Sequence, residues 1–205
     1  MNSKHFSSIL AILLVFLISI TAHFPFISSP KQFTEPEVQY LIQIENYFTH
    51  RDFKLIQPPL SNLFYSLIVS LQYNKIFSAI NYSIQFSVLL RIIPALFSSL
   101  VLPMITLILI MYDVPVTASF LCGTLLAFEP SWCGLNRLFN PNSFFYFFSV
   151  LTILISKTSE MYMFNKKKYF ILKQIEAILF AITICSDSSG IIILIILSHQ
   201  CNKIT

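Results

Sequence analysis

Long unbroken apolar runs alternate with short polar stretches along this chain. A spanning helix needs about 20 mostly apolar residues. Five stretches approach that requirement, at about 8–26, 89–111, 116–128, 143–155 (extending toward 163) and 175–197. A transmembrane barrel would instead show short alternating strands. The pattern predicts an all-α, polytopic helical membrane protein with about five transmembrane helices. The run 60–71 is too short to span and reads as an amphipathic helix at the membrane surface or partly re-entrant.

Individual residues sharpen the boundaries. The first run follows the basic start Lys4-His5 and lacks a clean small-x-small cleavage site, so it reads as an uncleaved signal anchor. Pro115 ends one span in a tight turn with Asp113. Pro94 and Pro103 predict kinks in the second span, whose freed carbonyls need neighbours or a cavity. The fifth span is interrupted by Ser186–Gly190. Asp187 there must face protein or water, or the stretch is a loop between two shorter segments.

Lysines give the orientation. Lys157, Lys166, Lys167, Lys168 and Lys173 form a basic segment at 156–174, and Lys4 lies near the start. The positive-inside rule places both on the cytosolic side, with the N-terminus. The charge-balanced loop 28–88 and the loop 129–142 are then lumenal. The surface helix 60–71 goes with them, and so does the sequon Asn81-Tyr82-Ser83, which chance also explains. Lysines 166–168 read as a topology signal and a contact for anionic lipid.

Composition narrows the class. The 205 residues are 56% hydrophobic and 11% charged, with a mean hydropathy of +0.74. A soluble domain carries roughly 25% charged residues, so a soluble globular protein is excluded. Thirteen Lys and Arg against nine Asp and Glu give +4. That excess follows the membrane topology and does not point to nucleic acid. Cys122, Cys133, Cys185 and Cys201 form no CxxC pair, and the four histidines are dispersed. No metal site and no cofactor are expected.

Four groups on the lumenal side could carry chemistry. Glu35 and Glu37 follow the first span, and a carboxylate at a membrane face can act as general base on a hydroxyl. The same pair also suits an ordinary solvated loop. Gln57-Pro58-Pro59-Leu60 opens the short helix, where proline is at home in the first turn. Arg91 stands at the mouth of the second span and could simply snorkel. Glu129 precedes Pro130, and Asn136-Arg137 lies close behind, with Asn142. Arg137 can grip a lipid-linked phosphate with two parallel hydrogen bonds, or serve as an interfacial anchor.

In this order the groups resemble the N-terminal part of the protein O-mannosyltransferases. These C-type glycosyltransferases of the endoplasmic reticulum use dolichyl phosphate mannose. The resemblance covers roughly residues 10–195 and rests on Glu35-Pro36-Glu37, Gln57-Pro58-Pro59-Leu60, Arg91 with Pro94 and Pro103, Phe128-Glu129, and Asn136-Arg137 with Asn142. It implies one membrane domain in the endoplasmic reticulum, akin to the N-terminal half of such an enzyme. The implied activity is transfer of mannose from the lipid donor to Ser or Thr of acceptor proteins. Glu35 or Glu37 would be the base, Arg137 the phosphate ligand, and Glu129, Gln57 and Arg91 supporting residues. A homo- or heterodimer with another mannosyltransferase is also implied.

Departures from the family keep a second reading open. The family's first-loop Asp falls on Thr34 or Pro36, its His on Gln57, and a second-loop Asp on Asn142. Neither Thr nor Asn accepts a proton at neutral pH. The alternative is a non-catalytic relative or a partner subunit of an active enzyme. A small transporter would predict inverted repeats and mid-membrane charges; the chain shows no repeat and only Asp187.

Overall fold

A computed structural model describes residues 3–25, 27–49, 59–70, 84–140 and 142–192. Every regular element among them is helical. The order is α1 (Ser3–His23), α2 (Glu35–Thr49), α3 (Pro59–Ser70), α4 (Ile84–Met111), α5 (Val116–Ala127), α6 (Pro130–Asn136), α7 (Asn142–Met161), α8 (Lys166–Ser186) and a 3₁₀ turn at Ser188–Gly190. Gln57 with Pro58, and the sequon at 81–83, lie outside the described residues.

Three helices have the length and apolar composition to cross a membrane: His5–His23, Ser87–Met111 and Lys166–Ser186. The five expected spans are thus three by that measure. Helix α5 is apolar but has 12 residues, about 18 Å at 1.5 Å per residue, against roughly 30 Å of hydrocarbon. Helix α7 has 20 residues but spends several on Ser, Thr, Lys and Glu.

The last span shifts in register. It starts at Lys166 rather than near residue 175 because Asn165 caps it, its side chain accepting the Lys168 N–H. It ends at Ser186, since Asp187 is extended and accepts from both the N–H and the hydroxyl of Ser189. Asp187 therefore closes the helix and does not sit inside it. The basic segment at 156–174 is mostly the end of α7 and the start of α8. The loop at 129–142 holds α6, and the stretch at 28–88 holds α2, α3 and the start of α4. Helix α4 runs unbroken through Pro94 and Pro103.

Helix α1 packs against α4 and α5, α4 against α7, and α7 against α8. Small polar residues line these contacts. Ser98, Ser99, Thr106, Ser119, Thr152, Ser156, Ser159 and Thr183 are all buried. Six of them return their hydroxyls to a carbonyl of their own helix or its cap, so these six allow close approach with their hydroxyls paired. Large apolar side chains such as Leu13, Leu17, Leu121 and Ile178 face outward, as lipid contact requires.

Two cores result. One joins Val15, Ala22, Leu102 and Ala127 of α1, α4 and α5. The other joins Ile44, Tyr65, Leu90, Phe139 and Phe144, with Phe64, Phe97 and Phe148 packed on it. The end of α1, the start of α4, α6 and the start of α7 share one end of the bundle. Tyr112, after α4, meets Lys157 of α7 at the other end, 4.3 Å from ring centroid to Nζ, on the side of lysines 166–168.

Helix α5 comes close to α1 and α4 at Gly123. A Cβ there would lie 2.3 Å from Thr106 Oγ1 and 3.0 Å from a Val15 methyl. Gly123→Ala is expected to cost about 1–3 kcal/mol through overpacking. Adding Thr106→Ala should restore most of that loss. Thermal unfolding of both variants in detergent checks this, and equal midpoints for the single and double variants would refute it.

Candidate functional site

Helix α2 begins with Thr34-Glu35-Pro36-Glu37. The Glu37 carboxylate reaches back to accept from the Thr34 N–H at 2.8 Å and its hydroxyl at 3.0 Å. This is the reciprocal half of a capping box, which satisfies a donor that the helix start leaves orphaned. The same carboxylate receives a bidentate grip from Arg91, Nε to Oε1 at 2.7 Å and Nη2 to Oε2 at 2.8 Å. The Phe139 N–H adds a further bond at 2.8 Å.

Both partners of this ion pair are fully buried. Arg91 has no N–H to spare. Besides Glu37, its Nη1 donates to the carbonyls of Ile27 and Pro30, and its Nη2 to that of Gln32. Arg91 does not snorkel to solvent. It ties the segment after α1 to the start of α4, while Glu37 ties α2 to the segment after α6. Such saturation is what lets a buried pair offset its desolvation.

That geometry removes Glu37 from the choice of bases. Burial alone would raise its pKa. The Arg91 side chain, with the N–H groups of Phe139 and Thr34, outweighs burial and holds the carboxyl below its ordinary value of 4.5. A carboxylate so held is a weak proton acceptor. Glu35, one position before Pro36 in the same first turn, is exposed.

The second arginine is placed differently. Glu129 caps α6 by accepting from the N–H groups of Trp132 and Ser131. These bonds hold its carboxyl below the usual range. Pro130 then occupies the first helical position. At the other end of α6, Arg137 donates through Nε and Nη2 to the Ala22 carbonyl at the end of α1. Cys133 Sγ donates to the same carbonyl at 3.1 Å. No bond from Arg137 Nη1 is found among the described residues, and the side chain is half-buried. Asn142 opens α7, its N–H donating to Asn140 Oδ1.

The structure thus brings Glu37, Arg91 and the 137–139 segment together, with Glu35 one turn edge away. Gln57 lies outside the described residues. Among those residues no three of His, Cys, Asp and Glu gather as a metal site would require. The sequence reading gives no role to His23 or Trp132, and none to Asn136 beyond its place in the Asn136-Arg137 motif. Each is at the α1–α6 junction and has a buried polar atom without a partner among the described residues: His23 Nε2, Trp132 Nε1 and Asn136 Oδ1. Each such atom costs about 1–3 kcal/mol. The Thr34-x-x-Glu37 spacing was the available signal for the cap; nothing in the sequence marked the orphaned atoms.

Loss of either member of the buried pair should be severe. Glu37→Gln or Arg91→Leu is expected to cost about 3–5 kcal/mol. Because the folded pKa of Glu37 lies below the unfolded one, the wild-type stabilisation is complete above about pH 4.5. It is lost as pH falls through the folded value. Unfolding midpoints of wild type and Glu37→Gln from pH 7 to pH 3 should therefore converge in acid. A gap that stays constant would contradict the assignment.

No curated protein matches this chain. A family model described as dolichyl-phosphate-mannose-protein mannosyltransferase matches residues 13–199. That match spans nearly the whole bundle and both arginine nodes, and the chain belongs to this family.

Proposed function

We propose that this protein transfers mannose from dolichyl phosphate mannose to Ser or Thr hydroxyls of proteins at the lumenal face of the endoplasmic reticulum membrane. Family membership supports a membrane mannosyltransferase at the level of the family. The observation that carries the finer reading is Arg137. Its guanidinium is pinned on one side to α1. It stands at the end of the bundle opposite the lysine segment. By the positive-inside rule that end is lumenal and the N-terminus cytosolic.

The mechanism follows from the residues. Glu35 accepts the proton of an acceptor hydroxyl. The hydroxyl oxygen attacks the anomeric carbon of mannose from the face opposite the leaving group. A new C–O bond forms, the bond to dolichyl phosphate breaks, and the configuration inverts. Arg137 takes up the charge that gathers on the departing phosphate. Glu37 and Arg91 hold Glu35 and the 137–139 segment in place, while Glu129 fixes the helix from which Arg137 projects.

One observation favours a second reading. Thr34 or Pro36, and Asn142, stand where the family motifs carry Asp, and Glu37 is fully engaged. Of the Glu35–Glu37 pair only Glu35 is left exposed, which suits a subunit that works beside an active partner. Such a dimer, with another copy or another mannosyltransferase, is part of what the family resemblance implies.

Transfer of labelled mannose to an acceptor peptide, in membranes containing the full chain, separates the two. Glu35→Gln is expected to slow transfer about 10²–10⁴-fold, and Arg137→Ala about 10²–10³-fold. An undiminished rate in Glu35→Gln would sink the base assignment. If the chain is silent alone but raises the rate of a co-expressed mannosyltransferase, the partner reading replaces it.

A further inference from the structure

Lys166, Lys167 and Lys168 form the first turn of α8, where no acid accompanies them. The acids nearest in the chain are already used. Glu160 pairs with Lys157 at 2.8 Å and Glu176 with Lys173 at 2.7 Å. Among the described residues no ion pair neutralises lysines 166–168. Lys168 lies against an aromatic face, its Nζ 5.1 Å from the Tyr162 ring centroid. Three positive charges in the first turn also oppose the helix dipole, so the stability of α8 does not account for them.

This part of the chain stands clear of the bundle. Thr152 of α7 meets Thr183 of α8 at 3.4 Å, oxygen to oxygen. From that contact α7 has nine residues left, to Met161, whereas α8 has seventeen, back to Lys166. The first two turns of α8 therefore reach past the end of α7. From Met161 to Ile171 every residue except Tyr169 is exposed. Phe164, in the connection, is wholly exposed. Successive residues of a helix point about 100° apart, so the three lysines spread round α8 rather than line one face. One turn further in, Phe170 and Ile171 stand beneath Lys166 and Lys167, and both are exposed. A level of cations is thus stacked on a level of apolar side chains.

That layering selects the partner. An acidic protein groove would grip one face of the helix and leave the others bare. A bilayer surrounds the helix, with phosphates at one level and acyl chains just below. Zwitterionic headgroups carry a cation beside each phosphate and give three lysines no net attraction; anionic ones do. We propose that the start of α8 is a binding site for anionic phospholipid. Lys166, Lys167 and Lys168 hold the headgroup charges, and Phe164, Phe170 and Ile171 enter the lipid beneath them. The cluster therefore does more than orient the chain. It retains one class of lipid, which fixes the depth of α8 in the bilayer. The site is independent of the roles given to Glu35 and Arg137.

The test follows thermal unfolding of the full chain in a neutral maltoside detergent. It is titrated with short-chain phosphatidylserine, with the matching phosphatidylcholine, with glycerophosphoserine, which is the headgroup without its tails, and with polyglutamate. Phosphatidylserine is expected to raise the midpoint saturably, and the other three to leave it in place. The triple variant Lys166→Gln, Lys167→Gln, Lys168→Gln should need on the order of 100-fold more phosphatidylserine for the same shift. Its midpoint in detergent alone should not fall, because the lost charges oppose the helix dipole. Phe164→Ser, which touches no lysine, should weaken the lipid about tenfold. Should the triple variant fail to fold, Phe164→Ser and salt decide. Raising salt from about 50 mM to about 500 mM should weaken phosphatidylserine in the wild type, and an affinity unmoved by both overturns the site. So does an equal shift with phosphatidylcholine, or a triple variant that responds as the wild type does. A shift matched by glycerophosphoserine would make this a plain anion site, and one matched by polyglutamate an acidic-protein contact; either result overturns the lipid assignment.

Discussion

The carboxylate of Glu37 accepts hydrogen bonds from Thr34, Arg91 and Phe139, on three separate segments. Arg91 in turn engages carbonyls of Ile27, Pro30 and Gln32. One ion pair therefore fixes where the chain goes after α1, how α2 enters, where α4 starts and where the chain runs after α6. The aromatic core around Tyr65, Phe139 and Phe144 packs next to it. A charge in such surroundings has no stable alternative to its partner. The pair thus acts as a register pin for one end of the bundle. Apolar packing alone, in a chain whose outer faces are equally apolar, would leave sliding cheap.

The sequence made part of this visible. The short helix expected at 60–71 is α3, and the break at Pro115 is the boundary between α4 and α5. Both rest on local rules, run length and the missing proline N–H. The family was legible as well, because its motifs keep their order even where single residues have changed. The start of α8 was not legible, since Asn165 caps the helix ahead of a lysine cluster that hydropathy counts as loop. The role of Glu37 was legible only in half. Its cap on Thr34 is a spacing of three, whereas its partner Arg91 is 54 positions away. Nothing local to either residue indicates that they meet. His23 was set aside because no second histidine stands at metal-ligand spacing from it on its helix, a test that finds metal ligands and misses single buried side chains.

The two arginines show why residue type alone could not assign roles. Both follow the same pattern, a cation at the mouth of an apolar run, at the same end of the bundle. Arg91 spends every N–H on protein acceptors and is fully buried, so it has nothing left for a ligand. Arg137 spends two of its nitrogens on one carbonyl and stays half-buried. That single carbonyl orients the guanidinium without saturating it, as a phosphate ligand requires. A capped, proline-started helix of seven residues gives this arginine a rigid base. The same logic separates the two glutamates, one saturated inside the fold and one exposed in the same first turn. In the proposed function, chemistry at this end of the bundle falls to the members of each like-charged pair that the fold has left incomplete, while their saturated counterparts hold the frame.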